Sequence, residues 1–275
     1  MNTGWKLFLH NRGAVLGALV LLLIALAGLL GPQLYAVNPQ DVVAAPLSPP
    51  SADAPLGADY LGRDVLAGLL HGAGVTLAIG LAATAATLVI GVLVGALAGY
   101  HRGHVDNVLM RVTEFFQVLP PILLAMVLVA VFGPKIGNVV LAIGLVSWPP
   151  LARLTRAEFL KLREREFVRA ERAIGTCGRD IMLRVILPNA SPPLIVALAL
   201  NVGVAILFES GLAFIGLSDP DVTSWGYMIG SSRDQIFEAW WSVVFPGAAI
   251  FLTVLAICLV GDGLNDALNP KLRQR

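Results

Sequence analysis

Residues 75–100 read VTLAIGLAATAATLVIGVLVGALAGY, a run without one charged side chain. A helix needs roughly 17–25 apolar residues to cross the hydrocarbon core of a bilayer, and this run supplies them. Further uncharged runs lie at 13–40, 115–134, 136–152, 185–208 and 239–261. Composition agrees, since 57% of the 275 residues are hydrophobic and only 13% charged. A soluble globule, with about a quarter of its residues charged, is excluded. Segments of this kind close their backbone hydrogen bonds in lipid only as helices, because the weak alternation of a barrel strand is absent. The expected fold class is therefore all-α, a polytopic membrane protein with six transmembrane helices. The fourth run ends in Trp148-Pro149-Pro150 and is expected to continue, kinked, through Leu151 to Leu154.

Charge placement sets the orientation. With the N-terminus inside, all of the 19 basic residues except Arg63, Lys135 and Arg233 fall on the inner side, which predicts cytoplasmic N- and C-termini. Lys6 and Arg12 precede the first run as in a signal peptide. Its apolar core is too long and lacks a small-residue cleavage site, so a retained anchor is expected. The net charge of +1 gives no sign of a nucleic-acid partner. Cys177 and Cys258 offer neither a disulfide framework nor a metal cluster and read as small apolar fillers.

Two outer loops follow, one at 41–74 with Pro46, Pro49, Pro50 and Pro55 and one at 216–238. The inner segment 153–184 is basic and helix-prone. Its apolar positions 167, 170 and 174 and, beyond Gly175, 181 and 185 have the spacing of a helix–glycine–helix elbow with one apolar face. Such a face either lies on the anionic inner leaflet or docks into a groove of a partner protein, and the residues alone leave both open.

Gly175, nine residues, Val185, one residue and Leu187-Pro188 resemble the cytoplasmic signature of the membrane subunits of ATP-binding-cassette importers. The family form is Glu-Ala-Ala, three residues, Gly, nine residues, Ile, one residue, Leu-Pro. Here Arg169-Ala170-Glu171 stands in place of Glu-Ala-Ala. The acid has moved two places, about 200° around a helix, so the family glutamate's contact is not carried over to Glu171. Pro55 to Val65, PLGADYLGRDV, is similar to the first periplasmic loop of dipeptide, oligopeptide and nickel permeases. Trp148-Pro149, Leu187-Pro188-Asn189, Phe214-Ile215-Gly216-Leu217 and Gly261-Asp262-Gly263-Leu264 are similar to other motifs of that subfamily, in its C-subunit form.

The resemblance implies a type I importer fold in the inner membrane of a bacterium. Residues 1–72 would form a tail, the first span and a periplasmic loop, 73–265 a five-helix core, and 266–275 a cytoplasmic tail. It implies an ATPase-coupling segment holding Glu166, Arg169, Ala170, Glu171, Gly175, Leu187 and Pro188, and a periplasmic signature of Leu56, Gly57, Asp59, Leu61, Gly62, Arg63 and Asp64. The implied partners are a second permease, two ATP-binding subunits that carry ATP and Mg, a periplasmic or lipoprotein substrate-binding protein, and the bilayer. This chain would be no enzyme and bind no cofactor or metal. None of its lysines follows a glycine, so it has no phosphate-cradling Gly-Lys-Ser/Thr loop. Di- and oligopeptides are the expected cargo, with nickel, metal-opine complexes or glutathione as alternatives and an ion-coupled secondary carrier as a more distant one.

Several residues carry two readings. Gly91, Gly95 and Gly99 let a helix approach closely, within the chain or from a partner. Pro120-Pro121 kink the third span, either beside a pathway or as packing. Glu209 lines the pathway or pairs between helices. Glu114 is expected to pair with Arg111, and His101 and His104 to lie in a polar turn. Arg63 and Asp64 staple their loop or meet a docking protein. Trp225, Trp240 and Trp241 are expected as interfacial anchors.

Overall fold

A computed structural model describes residues 3–268. The expected cytoplasmic tail beyond Leu268, with Lys271, Arg273 and Arg275, lies outside the described residues. Helix α1 (Thr3–His10) stops at Asn11, whose side-chain oxygen accepts from the Ala14 amide at 3.1 Å and caps α2 (Arg12–Leu34). Helix α3 (Val65–His101) is followed after Arg102 by α4 (Gly103–Val118), then α5 (Pro121–Phe132), α6 (Ile136–Arg163) and α7 (Glu166–Ala173). A short α8 (Gly178–Asp180) winds through a π-helical turn, Ile181–Ile186, into α9 (Leu187–Phe214). Helix α10 (Trp225–Ser232) and helix α11 (Trp241–Leu268) complete the order. Among the described residues there is no strand, only two isolated bridges in the loop between α2 and α3. Five helical segments are long and apolar enough to cross a membrane, and a sixth crossing arises if α4 and α5 count as one.

That pair is where the structure departs most from the expected spans. The run 115–134 is two helices meeting at 85°. The residue before a proline avoids the helical region, and two prolines in succession hold Leu119 at ψ 131° and Pro120 at ψ 121°. Elsewhere the helices outrun their apolar stretches. Helix α6 passes Leu154 and ends at Arg163, since charged residues beyond the hydrocarbon still hydrogen-bond as helix. The divisions at 72/73 and 265/266 accordingly fall inside α3 and α11. The polar turn at His101 and His104 shrinks to Arg102, which takes a left-handed φ of +58°.

The centre of the bundle is the seam between α3 and α6, and the glycine stripe serves it. A Cβ on Gly91 would lie 2.9 Å from Leu151, and one on Gly99 2.6 Å from Phe159. A Cβ on Gly95 would overlap the Ala152 carbonyl and approach Thr155 Cβ to 2.6 Å. Gly144 of α6 returns the contact against Ala86 of α3. The close approach is therefore internal to this chain. At the same end of the seam, Arg156 of α6 donates two hydrogen bonds to Asp106 of α4, at 2.5 and 2.6 Å, a bidentate pair that ties α4 to the seam.

The start of α3 is fixed by Asp64, 2% exposed. One carboxylate oxygen accepts from the Leu66 and Ala67 amides at 2.7 and 3.3 Å, and the other accepts from the Tyr35 hydroxyl at the end of α2. The Tyr35 phenol is pushed up to about 12 by that bond and by burial. Several other expectations are corrected. Trp225 and Trp241 are buried and donate their indole N–H to the Leu69 and Ala58 carbonyls, leaving only Trp240 half exposed. Cys177 and Cys258 are exposed, not fillers. No ion pair joins Arg111 and Glu114 among the described residues.

Two outcomes follow for thermal unfolding of the purified protein. Gly95→Leu is expected to destabilise by about 3 kcal/mol through overpacking of the seam, whereas Gly137→Ala, with no atom within 4 Å of the added carbon, leaves the midpoint unchanged. Asp64→Ala loses about 1–2 kcal/mol with the helix cap, and Asp64→Asn, which still caps, loses much less.

Candidate functional site

Three regions carry the residues singled out in the sequence. The first is the elbow. Val168 on α7 is fully buried with Phe159, Ile181 and Ile186, while Phe167 and Ile174 are 42% and 77% exposed and Ala170 is exposed beside them. The elbow thus has no single apolar face: 167, 170 and 174 look out, Ile181 looks in, and Val185 is half-buried. The cause is the connector at Gly175, φ +84°, which breaks the helical register between α7 and α8. Glu171 accepts from the Thr176 hydroxyl at 2.6 Å and so closes that connector, and Glu166 stands exposed in the first turn of α7. Leu187 and Pro188 open α9.

The elbow is clasped to the end of α3. The guanidinium groups of Arg163 and Arg172 both lie over the Tyr100 ring, at 5.7 and 5.6 Å from its centroid, a doubled cation–π contact, and Arg163 also donates to the Tyr100 carbonyl. Glu164 bridges Arg102 at 3.1 Å and Arg169 at 3.6 Å. Arg169 therefore contributes to the clasp from α7. None of these ties was foreseen except as a surplus of charge, because the contacts to Tyr100 and Arg102 join residues about 60 or more apart in sequence.

The second region is the loop 56–64. Asp59 Oδ1 accepts from the Leu61 and Arg63 amides at 2.8 and 2.9 Å and folds the loop on itself. Burial pushes its carboxyl up, against the lowering pull of those amides. Gly57 and Gly62 have φ near +85° and +81°. A Cβ on Gly57 would meet the Trp241 indole at 2.5 Å, and one on Gly62 would overlap the Ala44 carbonyl. Leu56 packs toward Val65 and Trp241, Leu61 is exposed, and Arg63 is half-buried. With Asp64 capping α3, the loop is a rigid plate that joins α2, α3 and α11.

The third region is a cleft of about 680 Å³ between α3, α4, α5, α6 and α9. Its walls are mostly apolar, with Phe116 edge-on to Trp148 at 5.4 Å, and no ionisable side chain lines it. Pro121 borders the cleft, and Pro120 does not. Glu209 lies elsewhere. It is 4% exposed, accepts from Ser224 at 2.5 Å, and fills the space left by Gly226. Ser224 also caps α10, accepting from the Tyr227 amide at 3.0 Å. Glu209 therefore fastens α10 to α9. The polar residues that line the cleft are Thr87, Gln117, Ser147 and Asn201. Their only signal was that each is an uncharged polar residue set among apolar neighbours.

Comparison with known proteins fits this geometry. Residues 91–274 match the family model described as binding-protein-dependent transport system inner membrane component, and residues 2–50 match that of the N-terminal TM domain of oligopeptide transport permease C. The chain is 42% identical to the di/tripeptide transport system permease protein DppC of Pseudomonas aeruginosa, over 98% of this chain and 91% of that one. It is 36% identical to the dipeptide transport system permease protein DppC of Bacillus subtilis, over 98% of this chain and 85% of that one. In fold it resembles a chain of the MetNI methionine ABC transporter, with a TM-score of 0.57 at 20% identity, covering 74% of this chain and 96% of the other. The chain belongs to the binding-protein-dependent transport system inner membrane components: it is a multi-pass permease subunit of an ATP-binding-cassette importer of the bacterial inner membrane, and ATP hydrolysis is the work of a separate subunit.

Proposed function

We propose that this subunit is one half of a permease pair that carries di- and oligopeptides inward. The observation that carries the reading is the outward row Phe167, Ala170 and Ile174 on an elbow clasped, through Tyr100, to the helices that wall the cleft. An apolar row on a short helix suits docking into a groove. Two ATPase subunits, holding ATP and Mg, would take the elbow in that groove and convert their closure into movement of α3 and α6. The open side of the cleft would be completed by the second permease. A binding protein would deliver the peptide to the plate at 56–64, where Leu61 and Arg63 offer it accessible side chains. Within the coupling segment Glu166 and Ala170 would meet the ATPase, Arg169 would share in the clasp, and Glu171, Gly175, Leu187 and Pro188 would shape the elbow.

The peptide cargo is supported by the names of the relatives. An ion-coupled carrier is disfavoured by a cleft without ionisable lining. Both termini in the cytoplasm remain the orientation read from the basic residues, and an N-terminal anchor with its outer loop, a permease core and a C-terminal tail remain the proposed division, with its inner boundaries inside α3 and α11.

Ile174→Glu is expected to leave the melting temperature unchanged but to cut peptide uptake and binding-protein-stimulated ATP hydrolysis at least tenfold in the assembled transporter; normal coupling would sink the docking reading. Orientation is testable with the chain's own thiols. In a Cys258→Ser background and with the ATPases stripped, an impermeant maleimide should label exposed Cys177 in inverted vesicles and not in intact spheroplasts, and the opposite pattern would reverse the topology.

A further inference from the structure

Hydroxyl side chains in this bundle commonly fold back on their own helix. Thr155 donates to the Leu151 carbonyl at 2.8 Å, Ser210 to Ile206 at 2.9 Å and Thr253 to Ala249 at 2.7 Å. Thr87 and Ser147 do not. Their oxygens are buried and have no protein partner among the described residues, and both residues line the cleft. Thr87 itself is only 1% exposed. One turn away on α3, Thr84 accepts from the Asn201 amide of α9 at 3.1 Å, which orients that side chain and leaves its carbonyl oxygen spare. Ser147 stands one turn beyond Gly144, which rests on Ala86, so Ser147 and Thr87 occupy the same level of the seam. An unpaired buried hydroxyl in an apolar wall is costly, and an occupant able to both donate and accept would relieve it.

The geometry points to a polar band of Thr87, Ser147 and Asn201 that hydrogen-bonds the amide groups of a passing peptide backbone and takes no account of side-chain charge. A hydroxyl donates and accepts, as a carboxamide does, and a backbone amide offers one donor and one acceptor in return. A charged side chain or peptide terminus, by contrast, meets no ionisable partner on this wall. Every peptide presents its backbone whatever its side chains, so the band grips a cargo class without selecting a member. The inference rests on the peptide reading above.

The test uses the complete transporter, with both permeases, both ATPases and the binding protein, in proteoliposomes. The probes are labelled Ala-Ala, Asp-Ala and Lys-Ala, and the readout is peptide taken up per ATP hydrolysed, which separates passage from assembly. Thr87→Val, nearly isosteric, and Asn201→Leu are each expected to lower that ratio about fivefold, the worth of one hydrogen bond, for all three peptides alike. Thr87→Ser should restore most of what Thr87→Val loses. An unchanged ratio, a loss confined to one charge class, or a Thr87→Ser protein as impaired as Thr87→Val would overturn the band while leaving peptide import standing. A wild-type complex that hydrolyses ATP under binding-protein stimulation yet imports none of the three overturns the peptide reading and the band with it.

Discussion

The structure turns on how closely two helix backbones can approach. Gly91, Gly95 and Gly99 on α3 and Gly144 on α6 leave no side chain between the helices where they cross, and the carbonyl of Ala152 occupies the space a methyl would need. In lipid there is no hydrophobic drive to press helices together, so such contacts rely on dispersion over the whole shared surface. Everything else is arranged around that seam. Helix α9 closes one side of the cleft against it, α4 is tied to it through Asp106 and Arg156, and the elbow hangs from its end.

The two ends of the seam are finished differently. At one end the loop 56–64 is held by backbone and capping bonds to Asp59 and Asp64, with glycines set where Trp241 and Ala44 crowd the chain. A plate of that kind holds its shape when something presses on it. At the other end the contacts are between side chains: two arginines on Tyr100, and Glu164 between Arg102 and Arg169. Ion pairs and cation–π contacts at a wet surface are individually weak and can be re-made at small displacement. One end of the seam is thus rigid and the other adjustable.

Much of this was legible in the sequence where the information is local. Hydrocarbon thickness sets the length of an uncharged run, so the apolar spans could be counted, and the elbow could be seen from its glycine, though the single apolar face its periodicity suggested is split in the fold. The signal failed where partners are distant. Nothing near Glu209 in sequence announces that Ser224 will reach it, and Trp225 and Trp241 looked like anchors because only the folded chain shows the Leu69 and Ala58 carbonyls they serve. The 85° break at Pro120-Pro121 was readable as a kink but not as an angle, since the prolines forbid helix without dictating what replaces it. Thr87 and Ser147 were silent for the same reason: a hydroxyl in an apolar helix normally satisfies itself.

The Tyr100 clasp gives the seam a mechanical meaning. Interlocked along their glycines, α3 and α6 form one continuous seam, and the clasp holds its end at Tyr100. From Tyr100 to Thr87 is about 20 Å at the rise of an α-helix. A rotation of about 10° at the grip would therefore swing the cleft wall by about 3 Å, the length of one hydrogen bond. Thirteen residues of helix would in this sense turn a small displacement at the elbow into one the length of a hydrogen bond in the membrane.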